Sequence, residues 1–248
     1  LNGNRHLPLT ASLDKTFVAI DFEASGQQSG GFKRKAGYFS AGWDEITEIG
    51  YALFRRGRVI ERGSTRVKPD VKVAKAAAKL TGLTARKLAN APRFEDPTVI
   101  DKLLKVMQGR PIVGQAFQKR DWAWLRSGLA RLGVDLPKPK RMVLDTFLLS
   151  YAPGGPKSGS KHSLGALAEH YGINVKGELH DATTDAETTG KVFLAQMKQA
   201  GVKTLGGAFD AMHLGHLAQR KAVQARAELQ RQEAQLARQE AKDRKAEP

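Results

Sequence analysis

The first strongly apolar stretch, Phe17-Val18-Ala19-Ile20, runs directly into Asp21-Phe22-Glu23. It alternates poorly, which predicts a central strand buried on both faces. Thr47 to Phe54 predicts a second strand and Arg55 to Arg58 a turn. Val59 to Arg62 predicts a return strand, and Ser64 to Lys68 a further one that stops before Pro69. Together these form an antiparallel meander. After Pro97 the period changes. Val99, Ile100, Leu103, Leu104 and Met107 recur at helical spacing until Gly109, so a helix is predicted over Pro97 to Met107. Pro111 to Gly114 and Met142 to Asp145 read as short strands. Asp121 to Leu132 reads as a helix ended by Gly133. Another runs from its N-cap Ser163 to Tyr171, with Gly172 at its end,. Ala182 to Met197 places Ala182, Ala186, Thr189, Phe193 and Met197 on one helical face. Strands first, then alternating helices and strands, predict an α/β fold: a mixed sheet with helices on both faces.

Two stretches break this pattern. Gly26 to Gly42 is rich in Gly and Ser and carries Lys33-Arg34-Lys35. Pro153 to Lys161 is rich in Gly, Ser, Pro and Lys. Leu217 to Pro248 is a zone of Ala, Gln, Arg and Glu that reads as a helical tail. Its only heptad-spaced large apolar pair is Leu229 and Leu236, so a strong coiled coil is not predicted. A solvated helix and a docking tail for a protein partner or nucleic acid are the two expectations for it.

Composition adds four points. The 248 residues suffice for one substantial domain plus a tail, or two small domains,. There is no cysteine, which excludes disulfides and thiolate metal sites and fits a reducing, cytoplasmic setting,. No signal-peptide core or membrane-length apolar run is visible, so no membrane partner is expected. The net charge is +16. From Leu217 onward there are eight Lys/Arg and five Asp/Glu, a net of +3, leaving +13 for the rest. A body this basic is suited to polyanions, nucleic acid foremost.

Against that basic background a few acids stand out. Asp21 and Glu23 are two residues apart on a strand and point to the same side. Two adjacent carboxylates repel unless a cation lies between them, and hard oxygen ligands favour Mg²⁺ or Mn²⁺. Asp121 shares a helical stripe with Leu125, Leu129 and Leu132. Taken alone, Asp121 is better read as a helix-start carboxylate favoured by the dipole. Asp185 lies one turn into a helix, facing inward with Ala182 and Thr189. His180 just before it suits a general base, because an unperturbed histidine side chain changes charge near neutrality, while Asp181 suits an N-cap.

In this order the motifs resemble the DnaQ-like 3′–5′ exonucleases of the DEDD superfamily, histidine subgroup. The resemblance rests on Asp21-Phe22-Glu23 and His180-Asp181-Ala182-Thr183-Thr184-Asp185-Ala186. Thr47-Glu48-Ile49-Gly50, Leu80 to Thr84, Val143-Leu144-Asp145-Thr146 and Ser163 to Ala168 support it, across Phe17 to Met197. It implies a ribonuclease-H-like fold, with residues 17–205 as the exonuclease domain, 1–16 as an N-terminal extension and 206–248 as a basic helical tail. It implies hydrolysis of phosphodiester bonds from a free 3′ end of DNA, in proofreading, repair or replication. Two ions of Mg²⁺ or Mn²⁺ would be held by Asp21, Glu23, Asp121 and Asp185, with His180 taking the proton from water. Phe22, Ala24, Ser25, Lys33, Arg34 and Lys35 would contact substrate. RNA 3′-end trimming and a non-catalytic nucleic-acid-binding scaffold are the alternatives. Three departures stand out. Where the family often has His-Asn-Ala before the second-motif Asp, this sequence runs Gly114-Gln115-Ala116-Phe117-Gln118-Lys119-Arg120-Asp121, with altered residues and spacing. Ala24-Ser25 replaces Thr-Thr. The Gly26–Gly42 loop is long, and is either a lid or a disordered insertion.

Overall fold

A computed structural model describes residues 8–26, 44–118, 120–134, 143–157 and 159–246. Five strands form one mixed sheet in the order β3-β2-β1-β4-β5. They are β1 (Phe17–Ala24), β2 (Ile46–Arg55), β3 (Arg58–Arg66), β4 (Ile112–Gly114) and β5 (Val143–Asp145). The first three are antiparallel, while β4 and β5 run parallel to β1. The apolar β1 is therefore central, as its poor alternation predicts.

The helices are α1 (Lys75–Thr81), α2 (Ala85–Leu88), α3 (Pro97–Met107), α4 (Asp121–Ala130), α5 (Thr146–Leu149), α6 (Leu164–His170), α7 (Ala182–Gln199) and α8 (Leu205–Ala246). Val18, Ile20 and Phe22 share one apolar cluster with Leu103 of α3 and Leu125 and Leu129 of α4. Phe17 and Ala19, on the opposite side of the strand, cluster with Ala186 and Phe193 of α7 and Ala208 of α8. By alternation, Asp21 and Glu23 belong to the α7 side. The two helical layers cover the two faces, so the sheet's exposed functional zone is its carboxyl edge, where open α/β sheets bind ligands.

Some elements differ from the sequence expectation. The two strands predicted around Gly63 are one strand, β3. Gly63 pairs with Tyr51, whose ring lies over it, the nearest ring carbons 3.4 Å from where a Cβ would sit. The glycine marks a ring contact and not a break. The short α1 has no buried residue, so it carries no apolar stripe to betray it. The tail helix begins at Leu205, well before Leu217, because packing overrides the low propensity of Gly206-Gly207,. Among the described residues no helix is long and apolar enough to cross a membrane.

Gly50 of β2 sets how closely α7 approaches the sheet. A Cβ there would sit 2.0 Å from the Ala182 carbonyl oxygen and 2.6 Å from the Thr183 nitrogen. Both are backbone atoms that cannot swing away. Gly50→Ala is expected to destabilise the fold by about 2–4 kcal/mol, read as a lower denaturant midpoint. It should also weaken metal binding, because it displaces the turn that carries Asp185.

Candidate active site

Asp21 and Glu23 lie near the carboxyl end of β1, and Glu48 is directly opposite Glu23 on β2. Glu48 is buried, its Oε1 accepting from the Ser64 hydroxyl at 2.8 Å. From above comes the first turn of α7. Asp181 caps this helix, its side chain accepting from Thr184 N at 2.8 Å. That leaves Asp185 to face the sheet, 7% exposed. One Asp185 oxygen, Oδ2, accepts from the His180 backbone N–H at 3.2 Å. The other, Oδ1, is buried with no partner among the described residues. His180 is exposed and holds a left-handed backbone, φ 72°, a strained conformation for a non-glycine residue. One donor atom from each of Glu23, His180 and Asp185 lies within 4.8 Å of the other two.

Asp121 reaches the same cluster from the other side of the sheet. It is the first residue of α4 and is 6% exposed. The loop before it is held by Asp145, at the end of β5. The Asp145 carboxylate accepts from Ala116 N at 2.9 Å, Gln118 N at 3.2 Å and Phe147 N at 3.0 Å. Ala116 is left-handed, φ 53°, where an ordinary side chain is strained. Beside it, Gln115 donates to the His162 carbonyl at 2.9 Å and accepts from the Thr146 hydroxyl.

The charges are costly as they stand. Burial, then the neighbouring Asp121 and Asp185, hold the Asp21 carboxyl well above the usual range. Burial, with Asp185 and Glu48 nearby, lifts Glu23 to about 8. Burial lifts Asp121 to about 8, against the pull of backbone N–H groups including that of Phe22. Burial also raises Asp185 and Asp145, each to about 6. Like charges forced together in a partly dry site favour a bound cation. The orphan Asp185 Oδ1 is the kind of atom that a cation would satisfy, so the donor set fits a hard divalent ion.

The fold therefore holds Asp21, Glu23, Asp121 and Asp185 close enough for their charges to disfavour one another, with His180 at the rim. It does not bring the Phe22 and Ser25 side chains to them. The Phe22 ring is 4% exposed and packs on Phe117 in the opposite cluster. Ser25 is fully buried, its hydroxyl donating to Asp44 at 2.7 Å. Ala24, half-buried, lies at the site's edge. Lys33, Arg34 and Lys35 lie outside the described residues. Trp122 is core and Trp124 packs against it. Sequence reasoning missed Glu48 and Asp145 as parts of the site. Both lie within quoted motifs, and the usable signal was a carboxylate embedded in an apolar strand.

The RNase T exonuclease family matches residues 18–193. A DNA polymerase III of PolC type from Caldanaerobacter subterraneus subsp. tengcongensis is 26% identical over 79% of this chain and 13% of its own length. A DNA polymerase III subunit epsilon from Aquifex aeolicus is 27% identical over 77% of this chain and 85% of its own. Among solved structures, the nuclease domain of 3′hExo, described as a DEDDh family member bound to rAMP, superposes with a TM-score of 0.56. It is 17% identical, over 77% of this chain and 94% of that one. This chain spans under a sixth of the PolC-type relative but most of the epsilon one.

Proposed function

We propose, from the premise that the chain belongs to the RNase T exonuclease family, that it removes nucleotides one at a time from the 3′ end of DNA. Asp21, Glu23, Asp121 and Asp185 would hold two divalent ions, Mg²⁺ or Mn²⁺. When bound, such ions stabilise charge on the phosphoryl group and acidify water. The convergence of these four carboxylates on one sheet edge, with Asp185 Oδ1 buried and unpartnered, carries the reading.

The chain's own residues supply the rest. His180 takes the proton from the attacking water: its side chain is exposed, and its backbone is pinned to Asp185, so the imidazole swings from a fixed point. Asp145 holds the loop that aims Asp121. The bond that breaks joins phosphorus to the 3′-oxygen of the remaining strand, which takes a proton from solvent at the open rim to become the new 3′-hydroxyl, while the released nucleotide keeps the 5′-phosphate. DNA is favoured because family relatives carry DNA polymerase III in their names, and proofreading, repair or replication is the proposed use. The exonuclease unit is taken as residues 17–205. The absence of cysteine is the basis for placing it in the cytoplasm.

Single-stranded DNA, duplex DNA and RNA, each labelled at either end, decide the matter. Stepwise loss from the 3′ end with Mg²⁺ or Mn²⁺, stopped by EDTA and fastest on DNA, is expected. Faster trimming of RNA would reassign the substrate. Binding without cleavage of any strand would leave only a scaffold.

A further inference from the structure

Helix α8 is packed at its start and solvent-exposed beyond it. Leu205, Ala208 and Ala211 are buried, and a Cβ at Gly215 would sit 2.0 Å from the Leu148 carbonyl oxygen. From Lys221 to Ala241 every residue is exposed. Its charges are not spread evenly around this rod. At about 100° per residue, Arg220 and Arg238 point the same way, five turns apart, and Arg231 lies about 20° from them. His213, two turns before Arg220, continues the row towards the body. Glu233 and Glu240 fall about 140–160° away, near the opposite side. Glu228 lies on the flank, and Lys221 and Arg226 fall off the row. Arg220, Arg231 and Arg238 make no ion pair with described residues.

The packed part of α8 lies against the catalytic side, just before the row begins. Met212 lies on the arc between the packed Gly215 line and the arginines. Its sulfur lies 3.2 Å from Asp145 N and 3.7 Å from the Gln118 side-chain amide. The helix thus passes directly beside the clamp that positions Asp121. Of the exposed apolar residues of α8, Leu229 and Leu236 share the side about 160–180° from the arginine row, Leu214 and Leu217 lie on one flank and Val223 on the other,, so one isolated leucine pair, and no continuous seam, is offered to a second helix.

We propose that α8 is a nucleic-acid guide: Arg220, Arg231 and Arg238 form a row about 27 Å long that holds the phosphates of the strand upstream of its 3′ end. Charge complementarity selects the occupant, since exposed guanidinium groups in a row that holds no large apolar residue suit a phosphate chain,. This rests on the nucleic-acid reading above, but its test does not require cleavage.

The experiment measures binding of a 30-nucleotide DNA strand across a salt series, with EDTA present. The triple variant Arg220→Gln/Arg231→Gln/Arg238→Gln is expected to bind about 10–100-fold more weakly. Its salt slope should fall by about two units, at roughly 0.7 per lost contact. The double variant Lys221→Gln/Arg226→Gln, with charges off the row, should change affinity less than threefold. With Mn²⁺, cleavage of a four-nucleotide strand should be the same for all three proteins. Unchanged binding by the triple variant, or an equal loss in the double variant, would overturn the guide. So would sedimentation showing that α8 instead pairs two copies of the chain. If no protein cleaves the short strand yet the binding difference stands, exonuclease action fails and the guide survives.

Discussion

Glu23→Gln is expected to lose on the order of 1000-fold in metal-dependent cleavage and yet to melt at a higher temperature in metal-free buffer. Both effects have one cause. Glu23 titrates at about 8 because it is buried among Asp185, Glu48 and Asp121. An unfolded glutamate titrates near 4.3. A group whose folded value is raised contributes its stability below the unfolded value and loses it as pH rises through the folded one. Metal-free stability should therefore fall between about pH 4 and pH 8 and be weakest above, where Asp121, also at about 8, ionises too. Removing the Glu23 charge should recover about 1–3 kcal/mol at pH 8, after discounting for its partial exposure. In a chain of this size that raises Tm by about 3–10 °C. With saturating Mn²⁺ the order reverses, because the cation stabilises the wild type and has lost a ligand in the variant. Thermal melts at pH 5 and pH 8, with and without Mn²⁺, check it. A variant that melts lower in metal-free buffer would mean that the acids are held by protein contacts instead.

Asp145→Ala should act through position instead of chemistry. The Asp145 carboxylate receives three backbone N–H groups, two from the loop before Asp121 and one that caps α5. Alanine leaves all three without their acceptor, at a cost of about 3–4 kcal/mol. The loop would then lose its left-handed turn at Ala116, and Asp121 its aim. Loss of such a supporting partner weakens metal affinity or activity by about 10–100-fold. Asp145→Asn retains one acceptor and turns a donor toward the loop, so an intermediate loss is expected. Denaturant unfolding together with Mn²⁺ titration separates the two effects. Full metal affinity in the alanine variant would show that the loop holds Asp121 without the clamp.

Much of this was legible in the residues. The central strand, α3, β4, α6 and α7 follow from apolar period and caps, because each buries one clear face or run. Asp21, Glu23 and Asp185 are marked by being acids on core-facing positions. Asp121 taken alone read better as a helix-start charge. It does start α4, and it is also buried beside the others, which only the chain's return past β4 decides. Glu48 and Asp145 stand out in sequence only as carboxylates in apolar strands; what puts them in the site is strand register and a loop's backbone donors, which are not local properties of sequence. Phe22 is the opposite case. Its motif position drew it toward substrate, but alternation puts its ring in the core against Phe117,.

The most direct test of the four-carboxylate metal site is calorimetric titration of Mn²⁺ into the metal-free protein at pH 7, in buffers of different ionisation enthalpy. With Glu23 and Asp121 both near 8, these groups hold protons at neutral pH that a metal must displace. Saturable binding with release of at least about one proton per protein is expected. No binding heat, or binding with no proton release, would contradict it.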